Sequence, residues 1–265
     1  MTANYHTHTY RCGHAVGNER EYVEKAIEFG FSELGFSEHA PMPFPNDLPH
    51  ENLERLLGMR LKTEETEEYF NTLVSLREEY KNDIKIHIGL EVEYFEEFFD
   101  SFLEYIKNFP VEYFILGQHF SAPYTVPMAY YGKQTHSDFA LKSYVDCVIK
   151  GLESGKFTYI AHPDLVFYRR NLEVYESEMT RLIECANASK VPLEINLYGL
   201  QEVRNYPNLQ FWQLANSIGC DVVLGCDAHH PDNLKNTYAL KQADMMLENF
   251  KNLNLLSRVE FKEVN

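Results

Sequence analysis

The feature that most constrains the fold is a regular alternation of short β-rich runs with longer helical patterns along the chain. Such repetition is typical of βαβ units built around a parallel sheet. We identify seven candidate strands. They are Asn4–Thr7, Glu33–Ser37, Lys85–Ile88, Glu112–Leu116, Phe157–Ile160, Pro192–Ile195 and Asp221–Leu224. This alternation predicts an α/β barrel.

Two loops are long enough to cover one end of such a barrel. Ala40–Arg60 contains the run MPFPNDLP, whose prolines exclude a helix, and Ser121–Thr135 contains two prolines and three tyrosines. We interpret both as lids or pocket walls over the strand ends. Neither interrupts the alternation, so the 265 residues predict a single domain spanning residues 1–265.

Side chains that commonly bind metals lie at or just beyond nearly every predicted strand. The candidates are His6, His8, His14, His39, Glu91, His119, His162, Asp227 and His229. Barrel enzymes place their chemistry where the C-terminal ends of the strands meet. Residues i and i+2 of an extended segment point the same way, so His6 and His8, like Asp227 and His229, can reach one ion together. Imidazole and carboxylate ligands suit Zn, Mn or Fe.

Each histidine taken singly could equally be a packing residue that is hydrogen-bonded to a backbone carbonyl. The joint pattern favours a metal site, because seven of the eleven histidines belong to this set. His50, His87 and His136 fall elsewhere and are interpreted as surface or packing residues. Cys12 and Cys226, beside proposed ligands, are interpreted as packing residues too.

Composition narrows the partners and the compartment. Lys and Arg total 24 against 40 Asp and Glu, a formal net charge of −16, which argues against a nucleic-acid partner. No apolar run approaches the ~20 residues that span a bilayer, so no membrane association is predicted. Five scattered cysteines and an N-terminus without an apolar signal segment favour a cytoplasmic protein with reduced thiols.

Six motifs together resemble the polymerase and histidinol phosphatase (PHP) superfamily. They are HTHTYRCGH, SEH, GLEVE, QH, AHPD and GCDAHH, and they extend from His6 to His229. The HAPMPFP and LEINLYGL segments are most similar to the monofunctional histidinol-phosphatase branch. The resemblance implies a distorted (β/α)7 barrel, TIM-barrel-like, in agreement with the seven strands counted above.

The resemblance also implies a site for two or three divalent ions. His6, His8, Glu91 and Asp227 would hold the first, and Glu91 would bridge to a second held by His119 and His162. His14, His39 and His229 would hold a third. The implied reaction is hydrolysis of a small phosphate ester, L-histidinol phosphate in histidine biosynthesis, by a bound hydroxide.

Several residues are assigned catalytic or substrate-binding roles. Glu91, Asp227 and His229 are the predicted catalytic residues, and Asp227 or His230 is a candidate proton donor to the leaving group. An arginine fork matches phosphate oxygens, and Arg204 and then Arg169 are the candidates. Glu93, Asp164 and the tyrosines of Ser121–Thr135 are candidates for the rest of the substrate pocket.

Three alternative functions stay open. They differ from hydrolysis of histidinol phosphate in the substrate, in the bond that is broken, or in having no catalysis. A PHP nuclease or nucleotide phosphatase would share the metal chemistry, but the acidic charge counts against the nuclease. Amidohydrolases also begin with HxH but commonly bridge their metals with a carboxylated lysine, and no lysine follows these strands. A metal-storage or sensing module would use closed sites with locally spaced ligands. The oligomeric state stays open.

Overall fold

The chain forms one curled sheet surrounded by helices. A computed structural model describes residues 1–43, 54, 56–124 and 128–264. Within these ranges eight parallel strands follow one another in chain order. The strands are β1 (Ala3–Asn4), β2 (Glu33–His39), β3 (Lys85–Val92), β4 (Tyr113–Leu116), β5 (Phe157–Ile160), β6 (Leu193–Asn196), β7 (Asp221–Gly225) and β8 (Asn254–Leu255). No pairing joins β1 to β8 among the described residues; the sheet closes into a distorted barrel through Thr7, just after β1, and Ala228, just after β7, which form a parallel bridge.

Helices cover the outside of the sheet, and most of them begin at an asparagine or serine whose side chain caps the first turn. The described α-helices are α1 (Glu19–Glu28), α2 (Thr66–Glu79), α3 (Phe99–Ile106), α4 (Asp138–Glu153), α5 (Leu172–Ala188), α6 (Leu197–Gln201), α7 (Leu209–Ile218) and α8 (Thr237–Asn249). Asn18 and Glu21 form a capping box at α1, and Ser137 accepts a hydrogen bond from Ala140 N at α4. Each cap satisfies a backbone N–H that has no partner within its helix.

The seven predicted strands are all present, with bounds that differ by a few residues. β2 and β3 extend further than predicted, so His39 and Glu91 lie inside strands rather than after them. The prediction of seven strands is one short, because β8 has two exposed residues and leaves no periodic pattern to recognise. His50 and most of MPFPNDLP lie outside the described residues.

Aromatic side chains fill the barrel at the N-terminal end of the strands. Tyr113, at the start of β4, donates through its hydroxyl to the carbonyl oxygens of Tyr5 and Phe36, both at 2.9 Å. Phe261, from the C-terminal segment, stacks on the Tyr113 ring with the centroids 4.6 Å apart. It also packs edge-on against His87 of β3. This end of the barrel is therefore plugged, and polar chemistry is left to the other end.

None of the described helices combines the length and the apolar character needed to cross a membrane.

Candidate metal centre

The nine predicted ligands come together at the C-terminal ends of the strands. Their ligand atoms form overlapping groups of three, and within each group all these atoms lie within 4.8 Å of one another. The groups are His6, His8 and Glu91; His6, His162 and Asp227; His39, Glu91 and His119; and His14, His39 and His229. Side chains from β2, β3 and the loops after β1, β4, β5 and β7 thus converge on one small volume.

Glu91 is the centre of this convergence. Its carboxylate lies between 2.9 and 3.7 Å from ring nitrogens of five histidines. These histidines are His6, His8, His39, His119 and His162. The carboxylate is 2 % exposed, and its Oε2 atom has no hydrogen-bond partner. A buried carboxylate oxygen without a donor is costly unless a cation occupies its vicinity.

Pairs of imidazoles face each other through nitrogens that carry lone pairs. Nδ1 of His6 contacts Glu194 Oε1 at 2.7 Å and Nδ1 of His8 contacts Glu38 Oε1 at 3.3 Å, so Nδ1 is the donor in both rings. Their Nε2 atoms then lie only 3.1 Å apart. Two bare nitrogens at this distance repel unless a proton or a metal ion lies beside them. The donor set therefore fits divalent metal ions.

A second imidazole pair repeats this arrangement nearer the solvent. Nδ1 of His14 donates to the carbonyl of Cys12 and Nδ1 of His229 to that of Asp227, each at 3.0 Å. The two Nε2 atoms lie 3.0 Å apart. His14 is exposed, whereas the His6 and His8 rings are fully buried. The candidate metal centre thus extends from the barrel interior to an accessible rim.

Two carboxylates for which no role was predicted, Glu38 and Glu194, lie behind the histidine rings. Glu194 holds His6 and also accepts from His162 N at 2.9 Å, while Glu38 holds His8. Such carboxylates orient imidazole ligands and increase their basicity. The signal that could have identified them is an acidic residue at the end of a buried strand.

The backbone is strained at two of the predicted ligands. His162 and Asp227 have φ values of 30° and 48°, in the left-handed region that side chains other than glycine rarely adopt. Hydrogen bonds hold both: His162 N donates to Glu194, and Asn196 Nδ2 donates to Asp227 Oδ2 at 3.1 Å. Strain of this kind concentrates at functional sites.

A cavity of about 110 Å³ opens onto the cluster. Five of the predicted ligands line it, together with Arg204, another arginine and several aromatic residues. The lining residues are His14, His39, Met59, Arg60, His119, Phe120, Tyr130, Tyr198, Arg204, Tyr206, Asp227 and His229. The structure therefore places Arg204, the first candidate for phosphate binding, beside the metal cluster, and also places there Arg60 and Tyr198, for which no role was predicted.

Arg60 forms part of the wall of this cavity, and its guanidinium is paired with other groups of the protein rather than free to bind a ligand. Its guanidinium is buried and pairs with Glu93 at 2.7 Å, and it also donates to the carbonyl oxygens of Leu56 and Ala40. Glu93 in turn accepts from the backbone N–H of His119 at 3.1 Å. Glu93, predicted as a substrate contact, is thus a brace for the segment that carries His119.

Other candidates lie away from the cavity. Arg169 is exposed, with its guanidinium 5.1 Å from the Phe167 ring, and His230 caps a 3-10 helix by accepting from Asp232 N. Neither is among the described residues that line the cavity. Asp164 is buried and also outside this lining. Their predicted roles have no geometric support.

Cys12 and Cys226 are buried thiols beside the cluster. The Cys12 thiol donates to the carbonyl of Thr9 at 3.2 Å, and its sulfur lies within 4.8 Å of ligand nitrogens of His8 and His229. Burial raises the pKa of Cys12 to about 12 and also raises that of Cys226. Neither thiol is an activated nucleophile, which is consistent with packing roles.

The carboxylates of the cluster are ionised and the outer histidines are neutral. Burial alone would raise the pKa of Glu91 and Asp227, but the surrounding histidines outweigh it and hold both well below their usual range. Burial lowers the pKa of His119 to about 3 and that of His229 to about 4. Ionised carboxylates and neutral imidazoles are the forms that bind metal ions.

Metal binding is expected to release protons at pH 7. Burial would lower the pKa of His6, but Glu194, Asp227 and Glu91 raise it to about 10, so the metal-free ring is protonated. A metal ion must displace this proton, and the apparent affinity should therefore rise with pH up to that pKa. Calorimetry in buffers of different ionisation enthalpy should show release of at least one proton. An affinity that does not change from about pH 6 to pH 9 would contradict this assignment.

A methyl group at Gly117 should displace Glu91. A Cβ atom at this position would lie 1.9 Å from Glu91 Oε1. We expect Gly117→Ala to lower kcat/KM by at least about a hundredfold, because small misplacements of catalytic groups have effects of this size. Gly155→Ala is the control for backbone strain alone: nothing lies within 4 Å of its Cβ position, but its φ is 71°, so it should lower stability and leave metal content and kcat/KM at wild-type values. Wild-type metal content and rate in Gly117→Ala would disprove the steric argument.

Two proteins named as histidinol-phosphatases are similar to this chain in sequence. A protein of Deinococcus radiodurans named "Probable histidinol-phosphatase" is 28% identical over 233 residues, covering 85% of both chains. The histidinol-phosphatase of Bacillus subtilis is 32% identical over 107 residues, 39% of this chain and 38% of the relative.

A solved structure shows that the fold is shared. Histidinol phosphate phosphatase from Lactococcus lactis, in complex with zinc, L-histidinol and phosphate, superposes with a TM-score of 0.71 at 19% identity. The match covers 98% of this chain and 97% of that one. The family model described as PHP domain matches residues 4–197, more than half of the chain. This protein therefore belongs to the PHP domain family.

Proposed function

We propose that this protein is a metal-dependent phosphomonoesterase that hydrolyses L-histidinol phosphate to L-histidinol and phosphate. The observation that carries the proposal is that nine candidate metal-binding side chains converge on one small volume, and that five of them line the same cavity as Arg204. The names of the relatives and the ligands bound to the Lactococcus lactis protein support this choice of ester. Two or three divalent ions, Zn, Mn or Fe, are the proposed cofactors.

The proposed ligand sets are those that the family resemblance implies; the first contains one of the groups of three described above, and the third coincides with another. His6, His8, Glu91 and Asp227 would hold one ion, Glu91 with His119 and His162 a second, and His14, His39 and His229 a third. Bound divalent ions supply positive charge for the phosphoryl oxygens and lower the pKa of coordinated water. The exposed His14 end gives a phosphate group access to the centre.

Arg204 is the proposed phosphate-binding residue of the chain. It lines the cavity, and its Nη2 atom donates to the Tyr198 hydroxyl at 3.3 Å rather than to a carboxylate, so the charge of the guanidinium is left for a ligand. A guanidinium can donate two parallel hydrogen bonds to phosphate oxygens. Arg169 stays only a sequence prediction, since it lies outside the cavity lining.

Asp227 is better suited to hold an ion than to donate a proton. Its Oδ1 atom lies 3.4 Å from His6 Nε2 and 3.3 Å from His8 Nε2, and Oδ2 accepts from Asn196. The nearby histidines keep the pKa of this carboxyl well below its usual range, so it is ionised at neutral pH. A proton for the leaving alkoxide must come from another group or from water.

Hydrolysis of another small phosphate ester or of a nucleotide is the alternative within the same chemistry. The formal net charge of −16 disfavours a long polyanion such as DNA.

We further propose that residues 1–265 form one domain, since β6 to β8 continue the sheet begun by β1 to β5. A cytoplasmic location belongs to the same proposal.

Phosphate release from a panel of esters tests this function. The protein, stripped of metal and reloaded with Zn, Mn or Fe, would be assayed with L-histidinol phosphate, p-nitrophenyl phosphate, AMP and single-stranded DNA. We expect kcat/KM for histidinol phosphate to exceed the others by at least about a hundredfold, which needs only a few specific contacts. Preferential turnover of AMP or DNA would overturn the assignment.

A further inference from the structure

Tyr198 contacts both a proposed metal ligand and the proposed phosphate-binding arginine. Its ring stacks with the imidazole of His229, with the centroids 5.0 Å apart and the planes inclined by 30°. The guanidinium carbon of Arg204 lies 4.8 Å from the centroid of the same ring. Arg204 Nη2 also donates to the Tyr198 hydroxyl at 3.3 Å. One side chain thus touches two groups that have different proposed tasks.

The backbone around Tyr198 is anchored to the metal centre. Tyr198 lies in the short helix α6, whose N-cap Asn196 accepts from Gly199 N at 2.8 Å. The Asn196 amide also donates to Glu194 at 2.9 Å and to Asp227 at 3.1 Å. The position of the Tyr198 ring therefore depends on the same residues that orient the predicted ligands.

The other side of α6 is anchored to the segment that carries Arg204. Arg204 N donates to the carbonyl of Gly199 at 2.9 Å. A Cβ at Gly199 would lie 2.3 Å from the carbonyl oxygen of Tyr206, so the helix and this segment are in close backbone contact. The backbone on both sides of Tyr198 is therefore held in place, whereas the side chain of Arg204 is exposed.

An exposed arginine loses considerable rotamer entropy when it binds a ligand. Contact with an aromatic face restricts the guanidinium in advance and leaves its N–H edges available. We propose that Tyr198 is a positioning residue that holds the Arg204 guanidinium at the cavity and sets the plane of the His229 ring. This inference rests on the proposed function, because it assigns Arg204 to phosphate and His229 to a metal ion.

Substitution of Tyr198 with leucine and with phenylalanine separates the ring contact from the hydroxyl. Tyr198→Leu should raise both the KM for histidinol phosphate and the Kd for inorganic phosphate by about fivefold to tenfold, the size of a lost cation–π contact. The kcat should change much less than KM. Tyr198→Phe keeps the ring and should stay within about twofold of wild type. Tyr238→Leu, at an exposed tyrosine of α8, is the matched control.

Two measurements accompany the kinetics. Competition with a zinc chelator should show weaker zinc retention in Tyr198→Leu than in Tyr198→Phe, because only the former releases the His229 ring. Thermal unfolding of the metal-free proteins should give similar Tm values for both variants. Unchanged KM and phosphate Kd in Tyr198→Leu, or equal impairment in Tyr198→Phe, would overturn the inference. Binding of inorganic phosphate does not depend on which ester is hydrolysed, so this result stands apart from a failure of the proposed function.

Discussion

Replacing Glu91 with alanine is expected to lower phosphate release by at least about a thousandfold. The carboxylate lies within 3.7 Å of ring nitrogens from five histidines, and it belongs to two of the overlapping ligand groups. Without it, the proposed bridge between two ions is lost, and metal content should fall with activity. The core that holds the barrel together is apolar and separate from this residue, so the fold should persist.

The controls for this variant are a second substitution at the same position and a remote one. Glu91→Gln keeps the volume but removes the charge, and it should be nearly as impaired as Glu91→Ala, because an amide is a poor bridging ligand. Glu97→Ala, at an exposed glutamate nearby in sequence, should behave as wild type. A fully active Glu91→Ala protein would contradict the bridging role.

Removal of the metal ions is expected to abolish activity and to lower Tm by roughly 10 °C. Ligands that bind only the folded state stabilise it, by about 4 kcal/mol at a free concentration one thousand times the Kd. The facing Nε2 atoms of His6 and His8, 3.1 Å apart, lose their shared cation when the metal leaves. Chelator dialysis followed by differential scanning calorimetry measures the shift in Tm. Zinc, manganese or iron added back should restore both the activity and the Tm.

The Glu91→Ala protein provides the matched control for this experiment. If the stabilisation comes from ions at the cluster, the chelator should move the Tm of this variant much less than that of wild type. An equal shift in both proteins would place the stabilising metal elsewhere. Full activity after complete metal removal would contradict the proposed chemistry.

The metal cluster was predictable because its geometry follows from strand periodicity. His6 and His8 are two residues apart in an extended segment, and the ends of parallel strands meet at one face. These two rules place His8 and His229, which are more than 200 residues apart, at one face, whereas the grouping of His14 with His39 and His229 was implied by the family resemblance. The strands β1 to β7 were predictable from the alternation of β-rich and helical segments.

The cavity walls were less predictable, because they depend on how loops return to the barrel. Arg60 is the last residue of the predicted loop Ala40–Arg60, and nothing in the local sequence pattern indicates that it pairs with Glu93. Arg169 follows β5 and was a natural candidate, but its backbone pairs with Thr135 and its side chain is exposed. Tyr198 reaches His229 only because Asn196 starts a short helix at the end of β6.

A crystal structure of the metal-loaded protein, with anomalous scattering recorded at the absorption edge of the metal, tests most directly whether the nine side chains hold the catalytic ions. We expect two or three anomalous peaks among these side chains, with Glu91 between neighbouring ions and His14, His39 and His229 around the outermost one. An ion-free cluster in a protein that still hydrolyses histidinol phosphate would contradict the assignment of these residues as metal ligands.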